Sequence, residues 1–157
     1  MTSIFTQIIK GVIPSYTIDE DEHCYAFLDI NPNAIGHTLC VPKQEVDKLF
    51  DLDQEIYKHL MQFSKRIAVA LEQAVPCKRV GMAVVGLEVP HAHVHLIPIH
   101  QMTDMSFQTK VKMQEDDFIS LGIEFQTIGP WYLIADLPML VRTVGIKQLL
   151  FLAERVE

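Results

Sequence analysis

The chain has 157 residues, 49% hydrophobic and 21% charged, enough to bury a core in one domain without disulfide or metal staples. Its formal net charge of -7 argues against a nucleic-acid polymer or an anionic membrane as main partner, since both select cationic surfaces. A small nucleotide held by local donors stays open.

Three cysteines at wide, irregular spacing, Cys24, Cys40 and Cys77, read as reduced thiols rather than a disulfide framework. The first residues carry no long apolar stretch of the signal-peptide kind. The longest apolar run, 131–141, contains Asp136 and Pro138 and is too short to span a bilayer. These features point to the cytoplasm.

In chain order, residues 4–10 read as a short helix stopped by Gly11 and followed by Pro14. Residues 23–28 are rich in β-formers and end at the turn Asp29-Ile30-Asn31-Pro32-Asn33. Residues 37–41 form a second strand closed by Pro42. The clearest helix is 51–75, where Ile56, Leu60, Phe63, Ile67 and Leu71 recur at spacings that draw one apolar stripe. Asp51 is its expected N-cap, with Gln54 three residues on and Pro76 beyond its end. Strands follow at 79–85 and 92–99, joined by Gly86-Leu87-Glu88-Val89-Pro90. Strands this close together lack room for regular crossovers, so the class is α+β with an antiparallel sheet. Residues 102–117 are polar, and 118–157 mix apolar clusters with Gly and Pro without a clean period, although 146–156 reads as a helix.

The chemistry lies in His91-Ala92-His93-Val94-His95-Leu96-Ile97. In an extended chain alternate side chains share a face, so His91, His93 and His95 line one side while Ala92, Val94 and Leu96 face the core. Three readings compete. The histidines can be structural, or they can hold a metal, since His-x-His on a strand supplies two zinc ligands. All three cannot easily share one ion, because His91 and His95 lie ~13 Å apart along an extended strand. The third reading is nucleophilic attack on phosphorus. One imidazole nitrogen would be held by an acceptor and the other left free, while neighbouring imidazoles donate to the phosphate oxygens.

The same segment resembles the signature of the histidine triad (HIT) family. Phe27-Leu28-Asp29-Ile30-Asn31-Pro32 and Gly36-His37-Thr38-Leu39-Cys40-Val41-Pro42-Lys43 resemble the family's nucleoside-binding strand and the strand after it, and residues 4–14 resemble the start of Hint-like members. The resemblance implies the HIT-like α+β fold, a five-stranded antiparallel sheet with a long helix packed on one face. The HIT domain would occupy 1–112, with a C-terminal extension at 113–157. It also implies roles. His93 would be the nucleophile, and His95 would bond the α-phosphate. His91 would orient His93 through its backbone carbonyl, and His37 would extend the network beneath the phosphate. Asp29 would accept from the ribose hydroxyls, and Ile13, Phe27 and Ile30 would form the apolar slot for the base.

Two departures from the family pattern bear on function. Many bacterial members carry a Cys-x-x-Cys of a structural zinc site near the start, where this chain has Ser3-Ile4-Phe5-Thr6, so no such metal is expected. The Asn-containing, Gly-rich loop before the triad is shortened, and Glu88 stands where a hydroxyl or small residue is usual. A carboxylate there would disfavour an anionic phosphate leaving group or bind a cationic amine. The expected function is a phosphoramidase-type nucleotide hydrolase. It would cleave the α-phosphorus bond of nucleoside phosphoramidates or adenylated substrates through a nucleotidyl-histidine and release the monophosphate. It would need no cofactor, take an AMP-like purine nucleotide and act as a homodimer. The alternatives are a dinucleoside polyphosphate hydrolase, a metal-dependent hydrolase and a non-catalytic nucleotide-binding scaffold.

Overall fold

A computed structural model describes residues 2–128. The elements run α1 (Ile4–Ile9), β1 (Thr17–Glu20), β2 (Cys24–Leu28), β3 (Thr38–Pro42), α2 (Gln54–Ala74), β4 (Arg79–Ala83), β5 (Val94–Ile99) and α3 (Glu115–Ile128), with single 3-10 turns at Leu49–Asp51 and Met102–Met105. The five strands form one antiparallel sheet in the order β1-β2-β3-β5-β4. This is the α+β arrangement the sequence predicts.

The expected stripe of α2 is present: Leu60, Phe63, Ile67 and Leu71 are buried against the sheet. Each contributes about 1.5–3 kcal/mol of burial. The N-cap is Asp53 rather than Asp51, its side chain accepting from the Glu55 amide. Asp51 instead closes the preceding 3-10 turn. The strand expected at 92–99 begins at Val94, so His91 and His93 lie in the extended approach to it, and the strand expected at 79–85 ends at Ala83.

Two elements have no counterpart in the sequence reading. β1 (TIDE) is short and half acidic, yet Ile18 is in the core and Asp19 is buried, paired at 2.7 Å with Arg66 of α2. Helix α3 buries Phe118, Leu121 and Phe125 in the same core as α2, and Phe118 stacks on Tyr16 at 4.7 Å between centroids. The helix expected at 146–156 lies outside the described residues.

Alternation in the strands divides the molecule into two apolar layers. Cys24, Ala26, Leu28, Cys40, Val94 and Leu96 face α2 and α3. Tyr25, Phe27, Leu39 and Val41 face the other way and pack with Phe5 and Ile8 of α1. His95, paired across the ladder with Leu39, points to this second face. The long helix therefore covers one side of the sheet, and the histidines occupy the other.

Candidate active site

Local geometry brings His37 and Asp29 to the triad. Gly36, at φ +84°, turns the chain into β3, and an added Cβ would lie 2.8 Å from a methyl of Val75 and 3.1 Å from one of Leu71. Only glycine suits both the left-handed backbone and the close approach to α2. The turn sets His37 at the foot of β3, where its carbonyl accepts from the Asp29 amide at 2.9 Å. His37 and His91 are 1% and 0% exposed, His93 and His95 6% and 8%.

The hydrogen bonds settle which ring nitrogen carries each proton. The Asn33 amide donates to His37 Nδ1 at 3.1 Å, so the neutral ring carries its proton on Nε2 and donates to His95 Nδ1 at 3.0 Å. His95 must then carry its own proton on Nε2. Burial drives both groups down to about 3, His95 assisted by His93 and Lys110, so both are neutral near pH 7. The approach of His37 Nδ1 to Asp29 Oδ2 at 3.5 Å is accordingly no ion pair. His93 donates from Nδ1 to the His91 carbonyl at 2.6 Å. Its Nε2 then holds a lone pair in the neutral ring. Among the described residues no group bonds to His93 Nε2 or to His95 Nε2, and the two rings stand edge to face with centroids 4.7 Å apart. A nucleophilic nitrogen and an N–H donor thus sit side by side.

Asp29 lies mostly buried beside this pair, one oxygen accepting from the Asn31 amide at 2.8 Å. Burial raises its pKa, the Asn31 bond and the charges of Lys110 and His93 oppose that, and Glu88 adds to it. Phe27 and Ile13 belong to the apolar cluster of α1 and the sheet, together with Val89. Ile30 does not join them; it is 74% exposed at the turn. Glu88 is exposed in the loop before the triad.

Several residues at the site were not anticipated. Phe5 stands edge-on to His93 at 5.0 Å and to Phe27 at 5.5 Å, making α1 one wall. Phe107 stands edge-on to the His95 ring at 4.8 Å. Lys110 Nζ donates to Asn33 Oδ1 at 2.7 Å and lies over the Phe107 ring, while the Val111 amide donates to the Pro32 carbonyl. Phe107 and Lys110 come from a polar segment without periodicity, and only a lone aromatic among polar residues marked it.

Two groups of side chains lie close enough to hold a metal among the described residues: Asp21, Cys24 and His59, and Asp29, His37 and His95. In the first, burial pushes the Cys24 thiol up to about 12, and Asp21 already accepts from two amides and His59. In the second, His37 and His95 spend their facing nitrogens on each other.

Residues 10–102 match the model of the HIT domain. The chain belongs to the HIT family, in its Hint-like branch. This HIT protein is 41% identical over 120 residues to the adenosine 5'-monophosphoramidase HNT1 of Saccharomyces cerevisiae, covering 76% of this chain and 75% of that protein. Among solved structures it resembles a HIT-like protein of Bartonella henselae, with TM-score 0.71, 26% identity, and 81% and 96% of the two chains covered. It also resembles a zinc-bound histidine triad protein of Mycobacterium smegmatis, with TM-score 0.69, 27% identity and coverage of 81% and 95%.

The positions where the family's Cys-x-x-Cys would fall do not suit zinc in this HIT protein. Ser3 and Thr6 offer neutral hydroxyls instead of thiolates, and both are hydrogen-bonded, with Glu45, into a cluster that reaches His91.

Proposed function

We propose that this HIT protein hydrolyses AMP-like nucleoside phosphoramidates or adenylated substrates by nucleophilic catalysis at His93. The observation that carries the reading is the pair of ring nitrogens: His93 Nε2 with a free lone pair, and beside it His95 Nε2 with a proton to donate. His93 Nε2 forms a bond to the α-phosphorus while the phosphorus–nitrogen bond breaks, and the departing nitrogen takes up a proton to leave as an amine. His95 donates to a non-bridging oxygen as negative charge builds there. Water then attacks the nucleotidyl-histidine, gives up a proton, and releases the monophosphate and neutral His93. Asp29 accepts from the ribose hydroxyls, and Phe27 and Ile13 line the slot for the base. The likeness to a yeast adenosine 5'-monophosphoramidase supports this substrate class.

The same reading includes a homodimer and a cytoplasmic location. β4 is an edge strand, and Met82, Val84 and Val85 at its end are exposed apolar residues suited to a second copy. The cysteines are all unpaired, as a reducing compartment would keep them. No helix among the described residues is long and apolar enough to cross a membrane. We take residues 1–112 as the HIT domain and 113–157 as an extension in which α3 packs into the domain's core.

The test is turnover of adenosine 5'-phosphoramidate with EDTA present. Wild type is expected to cleave, and His93→Ala to lose at least about 10³-fold in kcat. Binding of AMP by both proteins with cleavage by neither transfers the case to the scaffold reading, and loss of wild-type activity in EDTA with recovery in zinc transfers it to a metal-dependent hydrolase.

A further inference from the structure

His91 is the most enclosed member of the triad, yet it has no place in the chemistry of His93 Nε2 and His95 Nε2. Its ring is held at both ends. Nε2 lies 2.8 Å from the Pro42 carbonyl, which can only accept, so Nε2 carries the proton. Nδ1 of the neutral ring must then accept, and its partner at 2.7 Å is Ser3 Oγ. The single Ser3 hydrogen goes to His91 at 2.7 Å rather than to Thr6 Oγ1 at 3.1 Å, because Nδ1 can only accept and has no other donor. Ser3 Oγ in turn accepts from the Thr6 amide at 3.1 Å.

Behind Ser3 stands Glu45, 42 residues along the chain. One of its carboxylate oxygens accepts from the Ser3 amide at 3.0 Å and from the Thr6 hydroxyl. These bonds hold the Glu45 carboxyl below its ordinary range. The neighbouring residue Val46 accepts from the Ala92 amide at 2.7 Å. Two segments distant in sequence, the start of α1 and the loop after β3, thus converge on residues 91 and 92. Phe5, on the same turn of α1, presses edge-on against the rings of both His91 and His93.

We propose that Ser3, Thr6 and Glu45 form a hydrogen-bonded clamp that positions His91, and through the His91 carbonyl fixes the tautomer and aim of His93. The causal chain is short. Glu45 anchors the Ser3 backbone and takes the Thr6 proton, Ser3 donates to His91 Nδ1, and the pinned His91 presents its carbonyl to His93 Nδ1 at 2.6 Å. The neutral hydroxyls, poor zinc ligands themselves, brace His91 here by hydrogen bonding, with the Glu45 carboxylate as their acceptor. All three are positioning residues, since none reaches the reacting atoms. The inference rests on His93 being the nucleophile for its kinetic consequence, but not for its structural one.

The experiment pairs kinetics on adenosine 5'-phosphoramidate with ¹⁵N spectra of the histidine rings. Ser3 also caps α1, so Ser3→Gly is the main variant: glycine keeps most of the cap's stability while removing the hydroxyl. Ser3→Gly is expected to lower kcat about 10-fold or more, as loss of partners that orient a working imidazole commonly does. KM should stay within about twofold, Ser3→Thr should restore kcat to within about threefold, and Glu45→Ala should fall between. The ¹⁵N signal of His91 Nδ1 should move toward that of an acceptor without a partner. An unmoved His91 signal in Ser3→Gly overturns the clamp whatever the kinetics show. A moved signal with kcat equal to wild type overturns its link to His93. Should wild type prove inactive, the proposed function falls, while the ring spectra still decide whether the clamp exists. Should Ser3→Gly not fold, Glu45→Ala gives the same readings from an exposed position.

Discussion

Acid should unfold this protein earlier than a typical domain of its size, and the main cause is a pair of buried imidazoles. His37 and His95 are held neutral with pKa values near 3, whereas in the unfolded chain each titrates at 6.5. The unfolded state therefore binds protons that the folded state refuses, and stability must fall as pH drops through 6.5, down to the folded values. Each proton is worth about 1.4 kcal/mol per pH unit, which between pH 7 and pH 5 comes to about 2 kcal/mol for each histidine and about 4 kcal/mol for both. That is a large share of the 5–15 kcal/mol that holds a domain together, by order of magnitude. Burial also lowers His91, in the same sense. The assay is urea unfolding at pH 7, 6 and 5, compared with His37→Asn, in which an amide can still accept from Asn33 and donate to His95. The slope of stability against pH should drop by about one proton in the variant, whatever its absolute stability. A wild-type stability that is flat from pH 7 to pH 5, or a variant with the full wild-type slope, refutes the neutral state assigned to the pair.

Three further outcomes follow from the geometry. Gly36→Ala should destabilise by about 2–4 kcal/mol in urea unfolding, combining a left-handed backbone with overpacking against Val75 and Leu71. Phe63→Ala, at a position 1% exposed beneath the sheet, should cost about 3–5 kcal/mol in the same assay and leave the His93 ring signals unchanged. Phe107→Ala removes the ring against His95, and kcat/KM for the phosphoramidate should fall about fivefold, the equivalent of about 1 kcal/mol.

Periodicity was the legible part of this sequence. Alternating histidines, the α2 stripe and the Asp-x-Asn-Pro turn carry local patterns whose meaning survives without coordinates, and their residues do fall where the pattern puts them. Tertiary effects decided the remainder. β1 carries no strand signal in the sequence because the partner that allows Asp19 to be buried, Arg66, lies 47 residues away. The strand β2 is buried on both faces, so Tyr25 and Phe27 cannot be told from α2-facing residues by polarity. Asp51 and Asp53 are equally good caps by type, and the 3-10 turn that selects the second is visible only in the backbone. Ser3, Thr6 and Glu45 are commonplace residues until His91, 88 positions from Ser3, comes within reach.

The proposed preference for an amine over a phosphate leaving group is where charge at the rim should be read as a balance. The sequence draws attention to Glu88 alone, whose carboxylate disfavours an anionic leaving group. In the folded chain Lys110 stands on the same site, and the two act on Asp29 with opposite sign. Both side chains are exposed, so salt screens each of them, and neither effect should be large. Glu88→Gln should raise kcat/KM for a diadenosine polyphosphate relative to adenosine 5'-phosphoramidate, and Lys110→Gln should lower it, each by less than about tenfold and less at high salt. The measurement is the ratio of the two specificity constants at low and high ionic strength for wild type and both variants. Opposite displacements that shrink with salt would make leaving-group preference a matter of rim electrostatics. Ratios unmoved at low salt in both variants would place it instead in the shape of the slot between Phe5 and Phe107, where charge substitutions have no leverage.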